Sequence, residues 1–158
     1  MRLADRTTLR VGGPADHWVR CETDEHLIGA VRSCDAAGIP ALILGGGSNL
    51  LASDGGFRGT VLEVATRGMT AAEGDGDVAL TLRAGEPWDD VVESAVLRGW
   101  SGIEALSGIP GLAGATPIQN VGAYGQDVGQ VVSAVRILDR RTGTVERLDH
   151  LACGFGYR

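Results

Sequence analysis

A glycine run followed by two polar residues is the first feature of this chain that could do chemistry. The run consists of Gly45, Gly46, Gly47, Ser48 and Asn49. Successive backbone N–H groups in a glycine-rich turn can form a concave anion site, to which a hydroxyl and an amide add donors. The run therefore indicates a pyrophosphate site, although a simple tight turn after the apolar segment 41–44 would explain the same residues. It is not a Rossmann fingerprint, because Leu50 stands where the third glycine belongs.

A second glycine-rich segment, Gly108–Gly125, combines many small residues with few charges. Glycine lets the main chain approach a ligand without an intervening Cβ atom. Pro110 and Pro117 restrict the backbone, while the amides of Gln119 and Asn120 supply paired donors and acceptors. This combination suits a flat ligand with polar edges. A tightly packed loop and short helix with no ligand is the alternative, and the segment alone leaves both interpretations open.

The last two residues are Tyr157 and Arg158. A guanidinium is a permanent charge whose fork matches a carboxylate or a phosphate, and the tyrosine adds a hydroxyl donor. A frayed, inert terminus is the other interpretation. The three histidines are dispersed, and the three cysteines, Cys21, Cys34 and Cys153, have no metal-type spacing. We therefore expect no metal site and no disulfide framework, and we interpret each cysteine as a small buried hydrophobe.

These residues need elements that position them, and the periodicity predicts two groups of elements. Strands are expected at 15–21 and 41–44, joined by a helix that Thr23 caps and Gly38 ends, with a further strand at 59–64. Residues 67–77 are polar and mark a boundary between a first lobe at 1–66 and a second at 67–158.

The second lobe is expected to open with a strand at 78–84 and a helix that has Pro87 at its first position and ends at Gly99. The glycine-rich segment follows. A hairpin formed by 131–139 and 144–148 then turns at Gly143.

Composition limits the possible partners. The formal net charge is −6 without a basic patch, so nucleic acid is not an expected partner. No apolar run approaches the ~20 residues of a membrane span, and the N-terminus does not have the pattern of a signal peptide, so we expect a cytoplasmic protein without a membrane partner. Glycine is the outlier, with 25 of 158 residues against a usual share of about 7%. This content is typical of a loop-rich binding scaffold.

Taken in order, the motifs of this chain resemble those of the UDP-N-acetylenolpyruvoylglucosamine reductases, a family of bacterial flavoenzymes in peptidoglycan precursor synthesis. Any single motif is weak, but six in the family's order and spacing are specific. The matching elements are Thr8 with Gly12–Ala15, Leu44–Leu51, Ala84–Glu86, Gly102–Glu104, Ser107–Gly125 and Cys153–Arg158.

The resemblance implies an α+β protein with a FAD-binding fold of the vanillyl-alcohol-oxidase (PCMH) type. A small α/β lobe and a larger α+β lobe, incomplete here, would hold an extended FAD. The first glycine run would bind the pyrophosphate and the second segment would lie along the flavin. The cofactor-binding residues implied are Gly45, Gly46, Gly47, Ser48, Asn49, Leu50, Pro110, Gly111, Gly114, Ala115, Thr116, Gln119, Asn120, Gly122, Ala123 and Tyr124.

The implied reaction uses NADPH to reduce FAD, and the reduced FAD then reduces the enolpyruvyl group of a UDP-sugar to give UDP-N-acetylmuramate. Through the Phe155–Arg158 match, Arg158 falls on the family's active-site arginine and Tyr157 on a substrate-contacting tyrosine. A fixed cation there would stabilise the negative charge that develops beside the substrate carboxylate.

The chain departs from the family pattern after Arg158. The family continues into a substrate domain that supplies a serine proton donor and a late glutamate, and neither position is present. We therefore expect a piece that holds much of the FAD site and cannot complete the reaction alone. A non-catalytic flavin-binding module and another flavin oxidoreductase of the same superfamily are the alternative hypotheses. The sequence does not indicate an oligomeric state.

Overall fold

A computed structural model describes residues Met1–Gly156, which group into two units. The first unit contains Met1–Thr66 together with the short stretch Arg140–Gly143. The second contains Arg67–Asp139 and the residues from Thr144 onward. Within the described part of the chain, no helix is both long and apolar enough to span a bilayer.

The first unit is built on a three-stranded parallel sheet with one long helix. Its elements are β1 (Ala15–Cys21), α1 (Asp24–Ala36), β2 (Ala41–Leu44) and β3 (Phe57–Val64). The sheet order is β1-β3-β2, so the third strand in sequence lies between the first two. The sequence predicts β3 only as a further strand added to the β1-α1-β2 unit. Burial explains its central place, because Val61 and Leu62 are fully buried and point to opposite faces of the sheet.

Helix α1 begins and ends where the sequence predicts. The Thr23 hydroxyl accepts a hydrogen bond from the backbone N–H of His26 at 3.1 Å, which caps the first turn. Gly38 follows the last turn with φ +65°, a conformation that favours glycine. The helix buries Val31 and Cys34.

The second unit opens with an antiparallel pair, β4 (Met69–Glu73) and β5 (Val78–Leu82). Strand β4 corrects the sequence analysis, which treated 67–77 as a polar boundary. The strand was missed because it is mostly exposed and lacks an apolar face. Helix α2 (Trp88–Leu97) follows, with Pro87 as its N-cap, one position before the predicted place.

Helix α2 supplies four of the eight buried residues in the core cluster of the second unit. Trp88 is 3% exposed and its indole N–H donates to the Leu106 carbonyl at 3.1 Å. Val91, Val92 and Ala95 are buried beside it. This core supports the short elements of the glycine-rich segment, which are α3 (Thr116–Gln119) and β6 (Gly122–Ala123), and β6 pairs with β7 (Gln126–Asp127) just after the segment.

A hairpin and one helical turn end the described chain: β8 (Ala134–Asp139), β9 (Thr144–Asp149) and α4 (His150–Cys153). Gly143 has φ +70° in the turn, as predicted. Strand β8 begins three residues later than expected, because the amides of Val131 and Val132 donate back to the Val128 carbonyl in a 3₁₀ turn.

The cysteines are all free thiols, and two of them are buried. Burial raises the pKa of the Cys21 thiol, which favours its neutral form. Cys153 is only half-buried on α4, so the expectation of three buried cysteines is wrong for this one. No group of three or more potential metal-ligating side chains occurs between Met1 and Gly156.

Candidate functional site

The loop Gly45–Asn49 directly follows β2 at its carboxyl end. Gly47 is buried with φ +70°, and a Cβ atom at this position would lie 2.0 Å from the Arg6 carbonyl oxygen. The amide of Thr8 donates to the Gly47 carbonyl at 3.1 Å. The N-terminal segment therefore fixes the middle of the loop by main-chain contacts, and only glycine fits there.

The remaining residues of the loop differ in accessibility. Gly46 and Asn49 are exposed, whereas Ser48 is half-buried. Leu50 packs against the core around Leu44 and so supports the loop from inside. An exposed glycine and an exposed side-chain amide in one short turn offer main-chain and side-chain N–H groups of the kind that suit a pyrophosphate, so the residues fit that part of FAD.

The second glycine-rich segment is fixed at its beginning by Asp89, in the first turn of α2. This carboxylate accepts hydrogen bonds from the Ser107 hydroxyl at 2.9 Å and the Gly108 amide at 2.7 Å. The Gly108 bond, followed by the Ser107 bond, holds the pKa of Asp89 below its usual range. The sequence does not predict these bonds, because Ser107 and Gly108 lie far along the chain from Asp89.

Two further polar side chains, those of Glu104 and Gln126, accept hydrogen bonds from backbone amides in the loop before Gly108. The Glu104 carboxylate accepts from backbone amides, its own and that of Gly102, and these bonds lower its pKa. The Gln126 side-chain oxygen accepts from the Ala105 amide at 2.9 Å. These contacts, like those of Asp89, are not predicted from the sequence.

The middle of the segment packs on the turn between β5 and α2. The amide of Ala113 donates to the Glu86 carbonyl at 2.8 Å, and that of Gly114 donates to the Ala84 carbonyl at 2.9 Å. A Cβ atom on Gly114 would lie 2.6 Å from the Ala84 side chain. The buried Thr116 hydroxyl donates to the Ala113 carbonyl at 2.9 Å. Gly114 and Thr116 therefore have roles inside the protein.

Both polar atoms of the Asn120 side-chain amide form hydrogen bonds within the protein. Its Oδ1 accepts from the Gly129 amide at 2.9 Å, and its Nδ2 donates to the Gly156 carbonyl at 3.1 Å. Its backbone is left-handed, with φ +42°. This residue shapes the segment and brings the Gly156 main chain beside it.

Other candidates present accessible surface. Gln119 and Gly122 are exposed, and Tyr124 is 96% exposed with a left-handed φ of +51°. Pro110 is also exposed, and Gly111, Ala115 and Ala123 are half-buried. Accessible backbone and small side chains, with an exposed amide and an exposed aromatic ring in the same segment, are groups that suit contact with a flavin.

The structure therefore groups the candidate residues by unit. Gly45–Leu50 lie together in the first unit, and Pro110–Tyr124 lie together in the second. The proposed substrate residues Tyr157 and Arg158 lie outside the described residues. The carbonyl of Gly156, the residue before them, reaches Asn120.

Comparison with known proteins identifies the class. Residues 15–149 match the family described as the FAD binding domain, and the chain belongs to that family. The FAD expectation is thereby confirmed. A solvent-stable cholesterol oxidase shares the fold, with a TM-score of 0.63 at 14% identity over 94% of this chain and 31% of the oxidase. The FAD-binding fold of the vanillyl-alcohol-oxidase type is confirmed as well.

More similar proteins carry one name, UDP-N-acetylenolpyruvoylglucosamine reductase. The Cutibacterium acnes protein is 52% identical over 99% of this chain and 42% of its own length. The Saccharopolyspora erythraea protein is 54% identical, with 99% and 43% covered. The crystal structure of the Thermus caldophilus reductase gives a TM-score of 0.78 at 31% identity, covering all of this chain and 54% of that one. The resemblance to these reductases is confirmed, and the chain spans about two-fifths of the length of the curated relatives.

Proposed function

We propose that this chain is the FAD-binding part of a UDP-N-acetylenolpyruvoylglucosamine reductase. The protein would reduce UDP-N-acetylglucosamine enolpyruvate to UDP-N-acetylmuramate with NADPH, in cytoplasmic peptidoglycan precursor synthesis. The similarity at about half identity along 99% of the chain carries the proposal. When bound, FAD supplies the hydride acceptor for NADPH and the hydride donor for the enolpyruvyl group.

The first task of the chain is to bind and orient the cofactor. We assign the pyrophosphate to Gly45–Asn49, where the exposed Gly46 lets the main chain approach phosphate oxygens. We assign the flavin and ribityl chain to Pro110–Tyr124, where Gln119 offers an amide and Tyr124 an exposed ring. Asn120 would act indirectly, by holding this surface in shape through Gly129 and Gly156.

The second task is charge stabilisation. Hydride addition at one carbon of the enolpyruvyl double bond builds negative charge at the other, beside the substrate carboxylate. We assign the stabilising cation to Arg158 and a substrate contact to Tyr157, on the motif match alone. This arginine would thus be the catalytic residue of the chain.

Two assays test the proposal. The longer protein of which this chain would be a part should retain FAD through desalting, with a perturbed visible spectrum, and should oxidise NADPH only when the enolpyruvyl substrate is present. Retained flavin without NADPH oxidation by that longer protein would favour the non-catalytic module. NADPH oxidation that is indifferent to this substrate would favour another oxidoreductase. A chain restricted to residues 1–158 should bind FAD and show no substrate-dependent turnover, and turnover by it would contradict our assignment.

A further inference from the structure

Glu63 is a carboxylate in the otherwise apolar second half of the central strand β3, and it is only 8% exposed. The Trp18 indole N–H donates to its Oε2 at 2.9 Å, and Arg20 donates to its Oε1 at 2.8 Å. Both donors belong to the neighbouring strand β1. Because a buried carboxylate is costly unless its oxygens are paired, these bonds explain how the sheet accommodates it.

A third partner of Glu63 comes from outside the sheet. A terminal nitrogen of the Arg6 guanidinium lies 3.4 Å from Oε1 of Glu63. Arg6 ends the 3₁₀ turn Leu3–Arg6 near the N-terminus. The same residue presents its carbonyl to Gly47, and Thr8, two positions later, donates to the Gly47 carbonyl. The Arg6 side chain therefore joins the middle of the sheet to the segment that packs against the glycine loop.

We infer that Glu63 and Arg6 form a positioning pair for the loop Gly45–Asn49. The inference rests on the cofactor role proposed for that loop. An anion site made of successive backbone N–H groups depends on their directions, and Gly47 is held in its left-handed conformation against the Arg6 main chain. Releasing Arg6 from Glu63 frees this segment to shift, which turns the amides away from a bound phosphate. Neither residue touches the cofactor in this account.

Arg20 provides a matched control, because it pairs with the same oxygen of Glu63 from strand β1 and also bonds the Glu22 carboxylate, which follows that strand. The experiment compares Arg6→Ala with Arg20→Ala, measuring the Kd for FAD by flavin fluorescence and the unfolding midpoint without FAD. We expect Arg6→Ala to raise the Kd about fivefold, which corresponds to the ~1 kcal/mol of a partly exposed ion pair. Arg20→Ala should change the Kd by less than about twofold.

Arg6→Lys keeps the charge and should restore most of the affinity that Arg6→Ala loses. The positioning role is wrong if both alanine variants raise the Kd equally, or if neither does. The loop variant Gly46→Val separates this result from a failure of the loop assignment itself. If Gly46→Val weakens FAD binding and Arg6→Ala does not, only the positioning role fails. If Gly46→Val leaves the Kd unchanged, the loop assignment fails and the positioning role falls with it.

Discussion

The two glycine-rich segments of this protein have similar compositions but are held by different means. In the first unit, main-chain atoms of Arg6–Thr8 fix the loop at Gly47. In the second, main-chain bonds from Ala113 and Gly114 are joined by side-chain bonds, with Asp89 at Gly108 and Asn120 between Gly129 and Gly156. The high glycine content therefore has two causes. Some glycines allow one stretch of main chain to pack closely on another, and others occupy turns that need a left-handed backbone. The surface left for a ligand lies at other positions.

The largest expected effect is at Gly47. Gly47→Ala would place a methyl group against the Arg6 carbonyl and force a side chain into φ +70°. We expect a loss of about 3 kcal/mol or more in the free energy of unfolding, from backbone strain and overpacking together. Urea unfolding of the apoprotein measures it.

Gly108→Ala is the matched control for Gly47→Ala. Gly108 has a similar φ of +75°, but a Cβ atom there would meet no atom within 4 Å. Only the conformational cost remains, about 1 kcal/mol. If Gly47→Ala and Gly108→Ala lose equal free energy of unfolding, close packing against Arg6 does not add to the cost at Gly47.

The next effect is at Asn120. Asn120→Ala removes the bonds to Gly129 and Gly156 and leaves the Gly129 amide without its acceptor. We expect a loss of about 2 kcal/mol in the free energy of unfolding. Asn120→Asp keeps the acceptor and should lose less.

Gln119→Ala is the control for Asn120→Ala, since Gln119 is the exposed neighbouring amide. It should change stability by less than about 0.5 kcal/mol while weakening FAD binding. If Gln119→Ala proves as destabilising as Asn120→Ala, the division between a shaping residue and a contacting residue is wrong.

The smallest expected effect is the loss of stability in Asp89→Asn, and this loss depends on pH. The pKa of Asp89 is lowered in the folded protein by Gly108 and Ser107, so its carboxylate stabilises the fold above the unfolded-state pKa of about 3.9. That contribution disappears as the pH falls through the lower folded-state pKa. Asp89→Asn should therefore be less stable than the unmodified protein at pH 7, and the difference should shrink toward pH 3.

Unfolding midpoints at pH 7 and pH 3 test this prediction. Asp90→Asn, which removes the adjacent exposed carboxylate of the same helical turn, is the control. A difference between Asp89→Asn and the unmodified protein that stays constant across this range would argue against the bonds to Ser107 and Gly108.

Local signals in the sequence were sufficient for much of the fold. Strand β1, helix α1 and strand β2 have the predicted limits, because their apolar periodicity, the Thr23 cap and Gly38 are local features. The central place of β3 could not be predicted, since strand order depends on contacts between distant residues. Strand β4 was missed because it buries almost nothing.

The candidate site divides in the same way. The glycine loops could be found from composition, since close backbone approach and left-handed turns leave a visible excess of one residue. The roles of Asn120 and Glu63 could not, because a polar side chain looks the same in the sequence whether its partner is a ligand or a distant backbone group. A charge within the apolar run 59–64 was the one available signal for Glu63.

Amide hydrogen exchange with and without FAD tests the central claim most directly, because it observes both glycine-rich segments at once. We expect added FAD to slow exchange in the peptides covering 45–51 and 110–124, with little change in the peptides of the hairpin β8–β9. Protection confined to other parts of the chain, with both segments unaffected, would contradict the assignment of the cofactor to these two loops.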